Sequence, residues 1–138
     1  MGVQMINPEG LHTNQAFTHV AVVTGPHKTI YIGGQNGVDA QGSIAVDFKA
    51  QAEQVFANLT TALAAAGAGI EHVIKWNIYT LPNQPIHEAF MIFQRIWAGR
   101  PNPPLITYVA VVALANPDFL MELEAVAIVP MGDTEPNP

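Results

Sequence analysis

The alternation of apolar and polar side chains is clearest near the C-terminal end of the chain. From Phe119 to Val129 every odd-numbered residue is apolar, and the even-numbered residues are apolar except for Glu122 and Glu124. A period of two predicts a strand whose odd face covers a core. The two carboxylates then lie on the other face among apolar neighbours, where an acid without a partner is costly. They belong either to a solvated sheet face or to a partly desolvated binding site.

The remaining elements follow from the periods of the other apolar residues. We expect strands over residues 15–24, 29–32, 72–81 and 104–114, and helices over 47–66 and 85–97. Residues 1–14 are polar and rich in turn formers, which indicates a surface lead-in. The element order β-β-α-β-α-β-β suggests a hairpin at each end and a crossover between them. It predicts a single α+β domain over residues 1–138, with both helices on one face of a mixed sheet.

A glycine-rich stretch, Gly33-Gly34-Gln35-Asn36-Gly37, follows the second predicted strand. Glycines let the backbone approach another group closely, so the N–H groups here could face a ligand. The simpler interpretation is a turn or a bulge. We favour it because no helix begins directly afterwards, as a phosphate-binding loop would require.

Composition narrows the class of function. Charged residues make up only 12% of the 138, against about a quarter in a typical domain, which suggests that apolar surface is buried against another copy of the chain. The net charge of −6 and the scattered five Lys and Arg argue against nucleic acid as a partner. There is no Cys, and neither a signal peptide nor a bilayer-spanning run is recognisable, so a soluble cytoplasmic protein without a membrane partner is the default expectation.

Common catalytic centres have no counterpart in the sequence. The five histidines show no metal-ligand spacing, the lone Ser43 has no nucleophile elbow around it, and dinucleotide fingerprints are missing. We therefore expect neither a metal nor a cofactor. What remains is a strand with two glutamates, a glycine-rich turn and a histidine at a helix edge, which indicate a small polar ligand pocket.

Several motifs resemble those of the RidA family, also called the YjgF/YER057c/UK114 family. They are Tyr31-Ile32-Gly33-Gly34-Gln35, the helix end Ala65-Ala66-Gly67-Ala68 and the closing Glu122-Leu123-Glu124-Ala125-Val126-Ala127. The resemblance extends from about residue 7 to 129. It implies a chorismate-mutase-like α+β fold and a homotrimer with three clefts between subunits. Members of the best-known type hydrolyse enamines and imines to a 2-keto acid and ammonia without a cofactor.

The resemblance also implies roles for individual residues. Glu124 falls on the family glutamate that positions the attacking water, and we expect it to be the catalytic residue. Substrate contacts are expected from Phe17, Gly33, Gly34, His87, Ile106 and Tyr108. Of these, Ile106 occupies the position of the arginine that clamps the substrate carboxylate in the best-known type, so the chain resembles the subgroups without that arginine.

An isoleucine at position 106 changes the substrate that we expect. A carboxylate substrate would lose a charge-assisted pair worth about 1.5–3 kcal/mol. It would also meet Glu124 without a compensating positive charge. We therefore predict that the protein is not an efficient 2-imino acid deaminase and that its ligand is neutral or cationic and partly apolar.

Four interpretations stay open. The first is hydrolysis of an imine, an enamine or a related labile C–N bond, with Glu124 as the base and a neutral His87 bonded to the leaving nitrogen. The second is a non-catalytic trimer that binds a small ligand in the same cleft. The third is an imino acid deaminase in which Arg100 reaches the cleft from its loop. The fourth is the ribonuclease activity sometimes attached to the family, against which the acidic balance counts.

Overall fold

The fold pairs a mixed sheet with two helices. The computed structural model describes residues 2–132. Its elements are β1 Gly2–Ile6, β2 Val20–Thr24, β3 His27–Asn36, α1 Phe48–Ala65, β4 Val73–Thr80, α2 Ile86–Trp97, β5 Leu105–Ala110 and β6 Met121–Pro130, with a 3-10 turn, Ile70–His72, before β4. The predicted α+β class is confirmed, and the order gains one strand at the start. Neither helix within residues 2–132 combines the length and apolar character that a membrane span needs.

The order of strands in the main sheet differs from two simple hairpins. The four strands lie in the order β3-β6-β4-β5, in which β6 is antiparallel to both of its neighbours and β5 is parallel to β4. The strand β2 pairs with β1 in a separate two-stranded sheet. Both predicted hairpins are therefore wrong. The strand β1 takes the place beside β2 that the predicted hairpin gave to β3, and β6, with one wholly apolar face, takes a central position.

The core lies between the helices and one face of this sheet. Asp47 caps α1 by accepting from the backbone N–H of Ala50, and Gly67 adopts a positive φ of 79° just beyond its end. The core residues that α1, α2 and β6 bury most completely are Ala52, Val55, Phe56, Leu59, Leu63, Ala89, Ile92, Phe93, Met121, Leu123 and Ala127. Burying each large apolar side chain contributes about 1.5–3 kcal/mol. Side chains of both helices belong to this one core cluster, so the helices cover one face of the sheet and leave the opposite face uncovered.

Aromatic rings fill the centre of the core. The ring centroids of Trp76 on β4 and Phe93 on α2 are 4.2 Å apart, and Phe56 of α1 is 5.5 Å from Trp76. Trp97 stacks on Phe93 at 5.5 Å. Such tilted and edge contacts add to the hydrophobic burial of large rings. Both tryptophans therefore serve the packing of the core.

Candidate functional site

The uncovered face of the sheet carries the polar side chains that the sequence singled out. In register, Glu124 lies opposite Asn77, and Glu122 lies opposite Tyr79. The alternate residue Leu123 points into the core, so these four side chains point away from the helices. We call this surface the open face.

The carboxylate of Glu124 is oriented by two neutral donors. The amide Nδ2 of Asn77 donates to Glu124 Oε1 at 2.8 Å, and the hydroxyl of Tyr79 donates to the same oxygen at 3.2 Å. Within residues 2–132 no hydrogen bond to Oε2 is found. One oxygen is therefore held, and the other is left for a ligand or a water molecule.

The hydroxyl of Tyr79 stays a donor at neutral pH. Burial raises its pKa above the ordinary value of 10.0, and the charge of Glu124 and the hydrogen bond to it raise the pKa further. The charge of Glu122 acts in the same direction. A protonated phenol can therefore stabilise the Glu124 carboxylate without adding a charge of its own.

A shallow depression adjoins Glu124 on the open face. Its volume is about 400 Å³, within the range of small-molecule sites. Its lining includes Tyr31, Gly33, Lys75, Asn77, Glu124 and Val126. The ring of Tyr31 is 79% exposed, so the depression is open to a ligand or to another protein surface.

The second carboxylate, Glu122, lies against the glycine stretch. The register between β3 and β6 shifts between Ile32 and Gln35, so Gly33 and Gly34 form a bulge, one of the two simpler interpretations of this stretch. A Cβ atom added to Gly34 would collide with the Glu122 carboxylate. Glycine is therefore needed at position 34 for this carboxylate to occupy its place.

Two asparagines hold the bulge and Glu122 together. Asn36 donates Nδ2 to Glu122 Oε1 at 3.3 Å and to the carbonyl oxygen of Met121 at 3.1 Å. On α1, Asn58 donates Nδ2 to the carbonyl oxygens of Asn36 and Val38, each at 2.9 Å. The sequence does not predict this contact of Glu122, because the contact depends on a register shift that composition does not reveal. Consecutive glycines inside a strand were the signal that could have pointed to it.

Two expected substrate contacts lie outside the depression. Phe17 packs edge-on against the ring of His19, with 5.3 Å between centroids, in the loop before β2. His87 is exposed on α2 and lines a groove with Lys49 and Met91 on the helix side of the molecule. Neither residue meets Glu124 within one chain.

Two further expected contacts, Ile106 and Tyr108, lie on β5. In the parallel register, Ile106 is beside the buried Trp76 and Tyr108 is beside the buried Ile78, so both project to the helix side. The hydroxyl of Tyr108 bonds Thr80 Oγ1 at 2.8 Å. Of the expected contacts, only Gly33 lines the depression with Glu124 in a single chain. The membership of the rest in one cleft stays a prediction that a second subunit would have to complete.

Arg100 is held at the end of α2. Its Nη1 donates to the carbonyl oxygens of Ile96 at 3.2 Å and Trp97 at 2.8 Å, and its Cζ lies 5.9 Å from the centroid of the Trp97 ring. It does not line the depression beside Glu124. Among the described residues, no three His, Asp or Glu side chains are grouped so that they could hold a metal ion.

Comparison with known proteins adds three relatives. A family model described as Endoribonuclease L-PSP matches residues 9–129. The RutC family protein YjgH of Escherichia coli K12 is 28% identical over 124 residues, which is 89% of this chain and 92% of YjgH. A Rid family protein of unknown function, YyfB from Yersinia pestis, superposes with a TM-score of 0.80 at 32% identity, over 92% of this chain and 98% of YyfB. RidA from Psychrobacter sp. PAMC 21119 gives a TM-score of 0.68 at 28% identity, over 88% of this chain and all of RidA.

Proposed function

This chain belongs to the Endoribonuclease L-PSP family, also called the RidA or YjgF family, and we propose that it is a homotrimer whose clefts bind and hydrolyse a small imine or enamine without a carboxylate group. The observation that carries the chemical part is the geometry of Glu124. Asn77 and Tyr79 hold its Oε1, and the residue lines a depression with room for a small molecule.

The trimer is proposed from apolar surface that one chain leaves uncovered. Tyr31 is 79% exposed, Val109 beside Tyr79 is 42% exposed and Val112 just after β5 is 96% exposed. The strand β5 is also an edge of the sheet, which another chain can cover. Light scattering after gel filtration should give three times the 14.8 kDa of one chain. A particle of one chain would remove the intersubunit cleft from the proposal.

The proposed reaction is the addition of water to the C=N bond, followed by the loss of ammonia. Water bonded to Glu124 Oε2 adds to the carbon of the C=N bond and gives its proton to the carboxylate. The carboxylate passes this proton to the nitrogen, which gives the carbinolamine. The hydroxyl proton of the carbinolamine then moves through the carboxylate to the nitrogen as the C–N bond breaks, so ammonia leaves, a carbonyl group forms and Glu124 is again a carboxylate. Asn77 and Tyr79 are positioning residues, because they act on the substrate only through Glu124.

Position 106 favours a substrate without a carboxylate. In the proposed cleft, which a second subunit completes, the side chain at this position is isoleucine and offers no positive charge to a substrate carboxylate. Arg100 is bonded to the end of α2 and stacked against Trp97, so it is a poor candidate for the missing clamp. Lys75 is the single cation that lines the depression in the described part of the chain, and its exposed ammonium lacks the planar pair of donors with which a guanidinium clamps a carboxylate.

A competition assay tests the reaction. Flavin-dependent oxidases release the imine of alanine, which carries a carboxylate, or that of benzylamine, which does not. Semicarbazide traps each imine as an absorbing semicarbazone, and a hydrolase slows its formation. We expect the protein to act on the benzylamine imine and to be weak on the alanine imine, with Ile106→Arg run beside the wild type.

Each alternative has its own outcome in this assay. Turnover of the alanine imine at the rate of an arginine-bearing relative would overturn the substrate preference. If neither imine is hydrolysed, the catalytic part fails and a non-catalytic ligand-binding trimer takes its place.

A further inference from the structure

A second cavity lies at the end of the sheet where β4 begins and β6 ends. Its volume is also about 400 Å³, and its walls include Val3, Met5, His72, Ile74, Arg100 and Ile128. Ile128 is four residues from Glu124 along β6, which corresponds to roughly 13 Å. The two cavities share no lining residue, so this one is separate from the depression on the open face.

Arg100 lines this cavity and has two nitrogens, Nε and Nη2, without a protein partner in residues 2–132. Both of its hydrogen bonds to the end of α2 use Nη1, to the carbonyl oxygens of Ile96 and Trp97. No acceptor for Nε or Nη2, and no carboxylate at ion-pair distance, occurs among residues 2–132. By contrast, Arg95 makes two hydrogen bonds to Glu53, at 2.8 and 3.2 Å. The planar edge formed by Nε and Nη2 is one of the edges of arginine that can bind a carboxylate with two parallel hydrogen bonds, as Nη1 and Nη2 of Arg95 do with Glu53.

His72 supplies a second donor to the cavity. Its Nδ1 accepts the backbone N–H of Gly69 at 3.0 Å, so a neutral ring carries its proton on Nε2. The Glu71 carboxylate, which also lines the cavity, lies 3.8 Å from the same Nδ1 and is folded against Gly69. The negative group of the cavity is therefore associated with the 3-10 turn and does not pair with Arg100.

We propose that this cavity binds a small carboxylate with an apolar body. The carboxylate bonds Nε and Nη2 of Arg100, with His72 Nε2 as a further donor. The body lies against Val3, Met5 and Ile128, which give it an apolar surface to cover. This site does not depend on the proposed reaction, and it takes the charge class that the proposed catalytic cleft disfavours.

A nuclear magnetic resonance titration of the full chain with hexanoate tests the site. We expect saturable shifts at the amides of Ile74, Trp97 and Asn102 and little change at Gly33 and Lys75. Acetate should bind at least about tenfold more weakly than hexanoate, because it lacks the methylenes that the apolar wall covers. Hexylamine, with the same body and the opposite charge, should give no saturable shifts at these amides.

Matched variants decide whether Arg100 is responsible. Arg100→Gln should weaken hexanoate binding about tenfold or more, the effect of losing one charge-assisted pair. Lys49→Gln changes the net charge equally at a distant surface and should leave binding unchanged. Arg100→Lys keeps a cation at the end of α2 but lacks the planar edge, and it should also weaken binding. Equal affinity in the Arg100 variants, non-saturable shifts, or shifts centred on Gly33 and Lys75 would overturn the proposal.

Discussion

Tyr79 lies opposite Glu122 in the register of β4 and β6, yet its hydroxyl donates to Glu124, two residues farther along β6. The phenol therefore lies between the two carboxylates of the open face. Burial and both of these charges raise its pKa. Within residues 2–132 the donors to Glu124 are a neutral phenol and a neutral amide, and no cation forms an ion pair with it, which leaves the negative charge available to a ligand.

Tyr79→Phe removes one of the two donors to Glu124 and keeps the ring. We expect the free energy of unfolding in urea at pH 7 to fall by about 0.5–1.5 kcal/mol, the typical value of one hydrogen bond. In the semicarbazide assay kcat should fall more than KM changes, because substrate binding does not require the hydroxyl. An unchanged kcat would show that Tyr79 does not position Glu124 for catalysis.

The raised pKa of Tyr79 also predicts an alkaline limit to stability. A folded-state pKa above 10.0 means that the folded protein binds this proton more tightly than the unfolded chain does. The contribution to stability is complete below pH 10 and is lost as the pH rises through the folded-state value. Urea unfolding above pH 10 should therefore show a smaller decline for Tyr79→Phe than for the wild type. Parallel declines would contradict this assignment.

Glutamine at each of the two carboxylate positions separates their roles. Glu124→Gln preserves the size of the side chain and removes the base, so turnover of the benzylamine imine should fall about 100-fold or more. Glu122→Gln keeps an oxygen that Asn36 can reach, and it should have a smaller effect. The reverse order of losses would assign the water-positioning role to Glu122 and the glycine bulge.

Three glycines predict a graded series of alanine variants. A Cβ at Gly33 meets nothing within 4 Å, so Gly33→Ala should hardly alter the midpoint of urea unfolding. The three atoms nearest to a Cβ at Gly34 all belong to the flexible Glu122 side chain, so Gly34→Ala should move that carboxylate at a small cost in stability. A Cβ at Gly37 would lie 2.7 Å from Gln51 Cα and 2.9 Å from its carbonyl oxygen. Gly37→Ala should therefore lower the free energy of unfolding by about 1–3 kcal/mol or more. An equal loss in all three variants would contradict the series.

The fold was predictable to the extent that it depends on periodicity. The strand around Leu123 and both helices follow from one face of apolar side chains, and the structure places them close to the expected ranges. Pairing was not predictable in the same way, because β6 could pair with β5 as a hairpin or enter between β3 and β4 with the same alternation. The contact of Glu122 with Gly34 depends on that pairing and on a bulge, so local patterns could not reveal it.

Gln51 is a polar residue on the buried face of α1, whose other buried residues are apolar. Its side chain is completely buried, donates Nε2 to the carbonyl oxygens of Ala45 and Asp118 at 2.8 and 2.9 Å, and accepts the backbone N–H of Leu120 at 2.9 Å. It thus joins the segments before α1 and before β6. Periodicity predicts burial at such a position and gives no reason for an amide there.

Gln51→Ala should therefore be more destabilising than the same substitution at Gln54, a half-buried glutamine on α1. It leaves two carbonyl groups and one N–H without their partner, and each unsatisfied buried group costs about 1–3 kcal/mol, so we expect a loss of about 2–4 kcal/mol in urea unfolding. Gln54→Ala on the same helix removes one bond, to Asn58 Oδ1, and should cost less than about 1.5 kcal/mol. Similar losses for the two variants would mean that water replaces the Gln51 amide and that the segment before β6 does not depend on it.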